Sequence, residues 1–273
     1  MALPFLEKLE AVSRKNNSLV CVGLDVDLDR IPRFLLTDHD PVLTFNKAII
    51  DATCDLVCAY KLNIAFYEAM GVEGLQAFKK ILQLIPAGIV KIIDAKRGDI
   101  GHTARMYAQT YFEYYGGDAV TASPYLGRDS LQPFLDYEDK CTFVLCLTSN
   151  PGSRDFQYMS DGEKPLYQLV ADAVNRWNEK GNCGLVVGAT HPEELRPVRE
   201  IGPELPILIP GIGAQGGDVG RTVQFGTDGR GERAIINSSR SIIYASSGED
   251  FAAAAREAAK QLRETINGWR GKP

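Results

Sequence analysis

The chain has 273 residues, 45% of them hydrophobic and 24% charged, and a formal net charge of -5. Such a composition supplies a sizeable apolar core, and the acidic balance excludes a surface built as a whole for nucleic acid. No apolar run reaches the roughly 18 residues that a membrane span needs, so no membrane partner is expected.

At the start, Leu3, Phe5, Leu6, Leu9 and Val12 are spaced as in an amphipathic helix, and the acids among them do not suit a signal-peptide core. The first β-rich run is SLVCVGLD (18–25), followed by the helical pattern PVLTFNKAIIDATCDL. The second, LVCAYKLN (56–63), precedes GVEGLQAFKKILQLI, and the third, GIVKIIDAK (88–96), precedes HTARMYAQTYFEYYG. Further runs lie at 118–124, 141–149, 183–190, 206–213 and 233–240, with EKPLYQLVADAVNRWNEKGN after the fifth. The alanine-rich SGEDFAAAAREAAKQLRETINGW closes the chain, with Ser247 or Asp250 as its expected cap.

Most of these runs are Val, Ile, Leu and Cys without polar alternation, as parallel strands covered on both faces require. Eight β/α units in about 250 residues predict an α/β fold, a closed (β/α)8 TIM barrel, as a single domain over residues 1–273. The six cysteines are scattered, several in strand-like runs, and read as reduced core residues of a cytoplasmic protein. Cys54 and Cys58 have i,i+4 spacing, but no histidine or second cysteine pair supports a metal site there. His39, His102 and His191 fall in polar turns or helix starts and read as solvated.

Active sites of such barrels gather at the carboxyl ends of the strands. There the first strand carries Asp25, the second Lys61, and the third Asp94 and Lys96, with Asp99 three residues on. Asp94 and Lys96, two apart in an extended strand, point to the same side. Buried charges are costly unless paired, so several at one barrel end indicate a site. A lysine between two carboxylates is an ammonium able to deliver a proton, not a neutral nucleophile. GIGAQG (211–216) fits G-x-G-x-x-G, but it follows the seventh strand, where barrels build phosphate sites. Gln215 there, and Arg240 after the eighth strand, are the expected anion donors. Ser149 ends the fifth strand, and the polar stretch 148–165 beyond it reads as a lid or a surface excursion. Metalloprotease, P-loop and serine-hydrolase motifs are absent.

DAKRGDIGHT is similar to the D-x-K-x-x-D-I signature of the orotidine 5′-phosphate decarboxylase family, in its longer group 2 branch. VGLDVD, YKLNIAFYEAMG, SNPG, PGIGAQGGD and SSRS resemble the family's other site segments, in the same order, across the whole chain. Leu62 and Asn63 depart from the branch's Pro-Gln, and His102 stands where a serine is common. The resemblance implies that orotidine 5′-monophosphate is converted to uridine 5′-monophosphate and CO2, with no cofactor and no metal, in pyrimidine biosynthesis. It implies that Lys96 protonates ring C6 and that Asp94, Asp99 and Lys61 complete the catalytic charges. Asp25 and Lys61 are then implied at the ribose, Ser149 at the pyrimidine, and Gln215 and Arg240 at the phosphate. Pro210, in PGIGAQGGD, joins the substrate contacts. A homodimer with shared active sites is also implied, with Asp99, Ile100 and Thr103 serving the neighbouring subunit. Two alternatives stay open: a Mg²⁺-dependent keto-sugar-phosphate decarboxylase of the same superfamily, and a phosphate-sugar or dinucleotide binder without chemistry.

Overall fold

The computed structural model describes residues 3–160, 162–213 and 217–271. Helix α1 (Phe5–Lys15) precedes β1 (Val20–Gly23), and α2 (Pro41–Thr53) leads to β2 (Ala59–Asn63). Short α3 (Ile64–Glu68) and longer α4 (Gly71–Leu84) follow, then β3 (Val90–Arg97), α5 (Gly101–Gln109), β4 (Ala119–Ala122) and α6 (Arg128–Leu135). The second half runs β5 (Cys141–Leu147), α7 (Leu166–Trp177), β6 (Cys183–Val187), α8 (Pro192–Ile201), β7 (Ile207–Pro210) and α9 (Val219–Gly226). It ends with β8 (Ala234–Ser238), α10 (Arg240–Ile243) and α11 (Phe251–Trp269). The strands pair in parallel and in sequence order, and β8 returns to β1 through Val20 opposite Ile236 and Val22 opposite Ser238. This is the predicted (β/α)8 barrel.

Both faces of the strands are buried, which is why their sequences lack alternation. On β2 the Tyr60 hydroxyl meets Thr53 Oγ1 of α2 at 2.7 Å, outside the barrel, while the next residue, Lys61, points to the barrel interior. α1 lies across the amino ends of the strands. There Lys8 pairs with Asp118 just before β4, Arg14 with Glu232 just before β8, and Asn16 donates to the carbonyls of Cys54 and Val57. The opposite end, where the strands finish, is left open.

Helices α6, α8 and α9 are not among the helical patterns read from the sequence. α6 contains Pro133, α8 contains Pro192 and Pro197, and each helix has only 8 to 10 residues. Asp250 does stand at the amino end of α11, but its side chain caps no backbone N–H; it accepts from Ser246 Oγ instead. Five cysteines are buried, Cys54 is half-buried, and all six are free thiols. No described helix is long and apolar enough to cross a membrane.

Candidate active site

A cavity of about 620 Å³ opens at the carboxyl ends of the strands. Asp25, Lys61, Asp94, Lys96, Ser149, Pro210 and Arg240 all line it, so seven residues spread over more than 200 positions of sequence meet in one place. Their charged groups form a chain. Lys61 Nζ lies 3.5 Å from Asp25 Oδ1 and 3.1 Å from Asp94 Oδ2, and Lys96 Nζ lies 2.7 Å from Asp94 Oδ1.

Lys61 and Asp94 are buried, 4% and 8% exposed, so each must be compensated. Burial pushes the Lys61 ammonium toward a lower pKa, but Asp25 and Asp94 outweigh it and hold the pKa above the ordinary lysine value. Burial likewise pushes the Asp94 carboxyl up. Lys61 and Lys96, helped by hydrogen bonds from Lys96 and Thr121, outweigh that and keep it below the usual carboxylate range. Both groups are therefore ionised at neutral pH. Asp25 is satisfied as well: Oδ1 accepts from the N–H of Asn63 at 3.1 Å, and Oδ2 accepts from Ser239 Oγ at 2.9 Å. That last contact needs Gly23, because a Cβ there would stand 1.8 Å from Ser239 Oγ.

Asp94 and Lys96 do not converge as two residues of one regular strand. Ile93 pairs with Val120 and Arg97 with Ala122, so Asp94, Ala95 and Lys96 together stand opposite the single Thr121. β3 is bulged here, and Lys96 has a φ of +47°, in the left-handed region. Such a conformation costs a lysine about 1 kcal/mol or more, and it persists because the surroundings hold it. Thr121, 1% exposed, supplies part of that hold.

Asp99 lies elsewhere. It makes no ion pair among the described residues, its carboxylate accepts from the N–H of Ile100, and it does not line the cavity. Among the described residues Lys96 therefore has one carboxylate neighbour, not two. Ile100 is 62% exposed and Thr103 is exposed on the first turn of α5, both away from the cavity. Gln215 lies outside the described residues. Just before it, Gly211 and Gly213 adopt φ of +109° and +87°, conformations that L side chains rarely take, so the turn after β7 needs its glycines. Arg240 begins α10 at the mouth, and its guanidinium makes no hydrogen bond or ion pair among the described residues.

The stretch 151–165 is anchored at its base. Gln157 accepts from the Thr148 N–H at 2.8 Å and donates back to Thr148 Oγ1 at 2.9 Å. His191 corrects the solvated reading: it is half-buried, with Nε2 3.1 Å from the Thr148 carbonyl and Nδ1 3.2 Å from the Tyr158 hydroxyl. His39 and His102 are exposed as expected. Asn63, one of the departures from the branch pattern, also caps α3 by accepting from the Ala65 N–H. Sequence reasoning gave no role to Thr121 or Arg30 and took in Ser239 only as part of SSRS and Asn237 only as part of the eighth run; all four line the cavity. A threonine inside the apolar strand DAVTASP was the one available signal for Thr121.

The family model described as orotidine 5′-phosphate decarboxylase / HUMPS matches residues 18–258. The chain is a member of that family. A Dehalococcoides mccartyi protein named orotidine 5′-phosphate decarboxylase is 51% identical over 98% of this chain and 99% of its own. One from Cupriavidus necator is 51% identical over the same shares. Among solved structures, Leishmania donovani OMP decarboxylase superposes with a TM-score of 0.87 at 40% identity over the whole of both chains. A Methanocaldococcus jannaschii orotidine 5′-monophosphate decarboxylase complexed with inhibitor BMP gives a TM-score of 0.68 at 25% identity, covering 92% of this chain and 98% of that one. The (β/α)8 barrel and the charged mouth thus belong to a chain whose relatives are named as decarboxylases, which are carboxy-lyases.

Proposed function

We propose that this chain is a carboxy-lyase that converts orotidine 5′-monophosphate to uridine 5′-monophosphate and CO2, without a cofactor, in pyrimidine biosynthesis. The observation that carries the reading is the unbroken series Asp25, Lys61, Asp94, Lys96 at the cavity mouth, in a chain half identical to proteins named for this activity. The bond between C6 and the carboxylate carbon breaks, and its electron pair stays on C6. Lys96 stabilises the developing negative charge as a fixed ammonium, then gives C6 its proton. The neutral amine left behind regains a proton from water. Asp94, ionised and clamped between two lysines, keeps Lys96 aimed at the cavity and stands beside the departing carboxylate. Lys61 and Asp25 take the ribose, Ser149 and Pro210 border the pyrimidine, and Arg240 with Gln215 takes the phosphate. Binding energy from that remote phosphate serves orientation at the reacting carbon.

The reading includes a homodimer with shared active sites. Asp99, Ile100 and Thr103 lie outside their own cavity although Asp99 is only three residues from Lys96, which suits a role in the neighbour's site. A reducing, cytoplasmic setting suits the six free thiols. The test is turnover of orotidine 5′-monophosphate followed by ultraviolet absorbance, with and without EDTA. Conversion that persists in EDTA is expected. No conversion, alongside Mg²⁺-dependent loss of a keto-sugar acid phosphate, would replace this reading with the superfamily alternative.

A further inference from the structure

We propose that Thr121 is a positioning residue for the proton-donating lysine. This rests on the decarboxylase reading of the site. A hydroxyl has one proton to give and lone pairs to accept with. Thr121 Oγ1 accepts from the backbone N–H of Lys96 at 2.9 Å and lies 2.8 Å from Asp94 Oδ1. The N–H can only donate and the ionised carboxylate can only accept, so the hydroxyl's orientation is settled by its two partners. One atom thereby ties together the backbone of the lysine and the carboxylate that grips the same lysine's ammonium.

The geometry needs such a tie. Three residues of β3 bulge against one residue of β4, and that residue is Thr121. Where the strand ladder loses its register, the threonine side chain takes up the N–H of a residue held at φ +47°. Thr121 and its bond to Asp94 are buried, which shields that bond from water. Without the hydroxyl, Lys96 can relax toward an ordinary strand conformation and Asp94 can turn about its own χ2. The ammonium would then be aimed less well at C6, while Asp25, held by Asn63 and Ser239, and Arg240, which does not touch Asp94, would stay in place. Misplacement of a reacting group lowers the rate of the chemical step rather than binding.

A hydroxyl that merely satisfied buried polar atoms would affect stability and leave turnover alone, so the test separates kcat from KM. Thr121→Val keeps the shape and removes both bonds, and Thr121→Ser keeps the hydroxyl. In the valine variant kcat should fall about ten- to hundredfold with KM within about threefold, the loss expected for one hydrogen bond to a charged group. The serine variant should restore kcat to within about threefold of wild type, since its hydroxyl reaches the same partners. Where the valine protein fails to fold, Thr121→Ala carries the same expectation. A hydroxyl-free variant with wild-type kcat, or a serine variant as slow as the hydroxyl-free one, overturns the positioning role. Wild-type enzyme is assayed beside them. If it lacks turnover, the decarboxylase reading falls and this inference with it; if it turns over beside an unimpaired valine variant, only this inference falls.

Discussion

Asp94 is the residue on which the site's electrostatics turn, and its ionisation gives a pH signature. Its folded pKa lies below the usual carboxylate value, so the unfolded chain binds that proton more readily than the folded one. The resulting stability is fully present above the unfolded pKa of about 3.9 and is lost as pH falls toward the lower folded value. Asp94→Asn removes this linkage. The difference in unfolding free energy between wild type and Asp94→Asn should be constant between about pH 5 and 8 and shrink below about pH 4. Chemical denaturation across that range tests it, and a difference that grows on acidification would contradict the assigned direction. In the proposed reading Arg240 meets the phosphate at the other side of the cavity. With its guanidinium facing the mouth and desolvated once a phosphate binds, Arg240→Ala should cost roughly 2–5 kcal/mol in kcat/KM for the phosphorylated substrate, by analogy with removing one partner of a buried charge pair. Orotidine, which lacks the phosphate, should be turned over equally by both proteins. An equal defect on orotidine would assign Arg240 another role.

Among the elements, α1 and the β3 bulge show how differently two segments serve the same site. α1 closes the barrel floor, with Phe5 only 2% exposed and its ring edge-on to Phe143 of β5 at 5.7 Å. Phe5→Ala should therefore destabilise the fold by about 3 kcal/mol, as deletion of a buried aromatic ring does. It should leave kcat unchanged, because the charged cavity lies at the opposite end of the strands. Urea unfolding and a turnover assay on the same preparation check both halves of the expectation. The amphipathic spacing of α1 is plain in the sequence, as are the long apolar faces of α2, α4, α7 and α11. The three short helices have apolar faces too, but over only 8 to 10 residues these do not stand out from the loops around them. The bulge is equally hidden. GIVKIIDAK reads as continuous strand, and only the pairing with β4 places Asp94, Ala95 and Lys96 against one residue.

At the scale of the whole molecule, the exposed group Asp99, Ile100 and Thr103 leads to the dimer prediction. Lys96→Ala and Asp99→Asn should each be nearly inactive alone. After subunit exchange a mixed dimer holds one site with both defects and one with neither. Random pairing of equal amounts makes about half the dimers mixed, so activity should recover to roughly a quarter of the wild-type value per subunit. Exchange confirmed by tagged subunits without recovery would place Asp99 in its own subunit's site or outside catalysis.

The order of β and α units and the charges at the strand ends were determined by the sequence alone. Burial on both faces demands continuous apolar strands, and a charge that ends such a strand can only belong to an open end. Asp25, Lys61, Asp94 and Lys96 were legible for that reason. Tertiary structure alone decided that Asp99 leaves the cavity, that His191 is hydrogen-bonded beneath the 151–165 stretch, and that Lys96 sits in a left-handed turn held by Thr121. The last two depend on partners distant in sequence. Local spacing says nothing of which strand lies opposite a bulge or which loop packs over a ring.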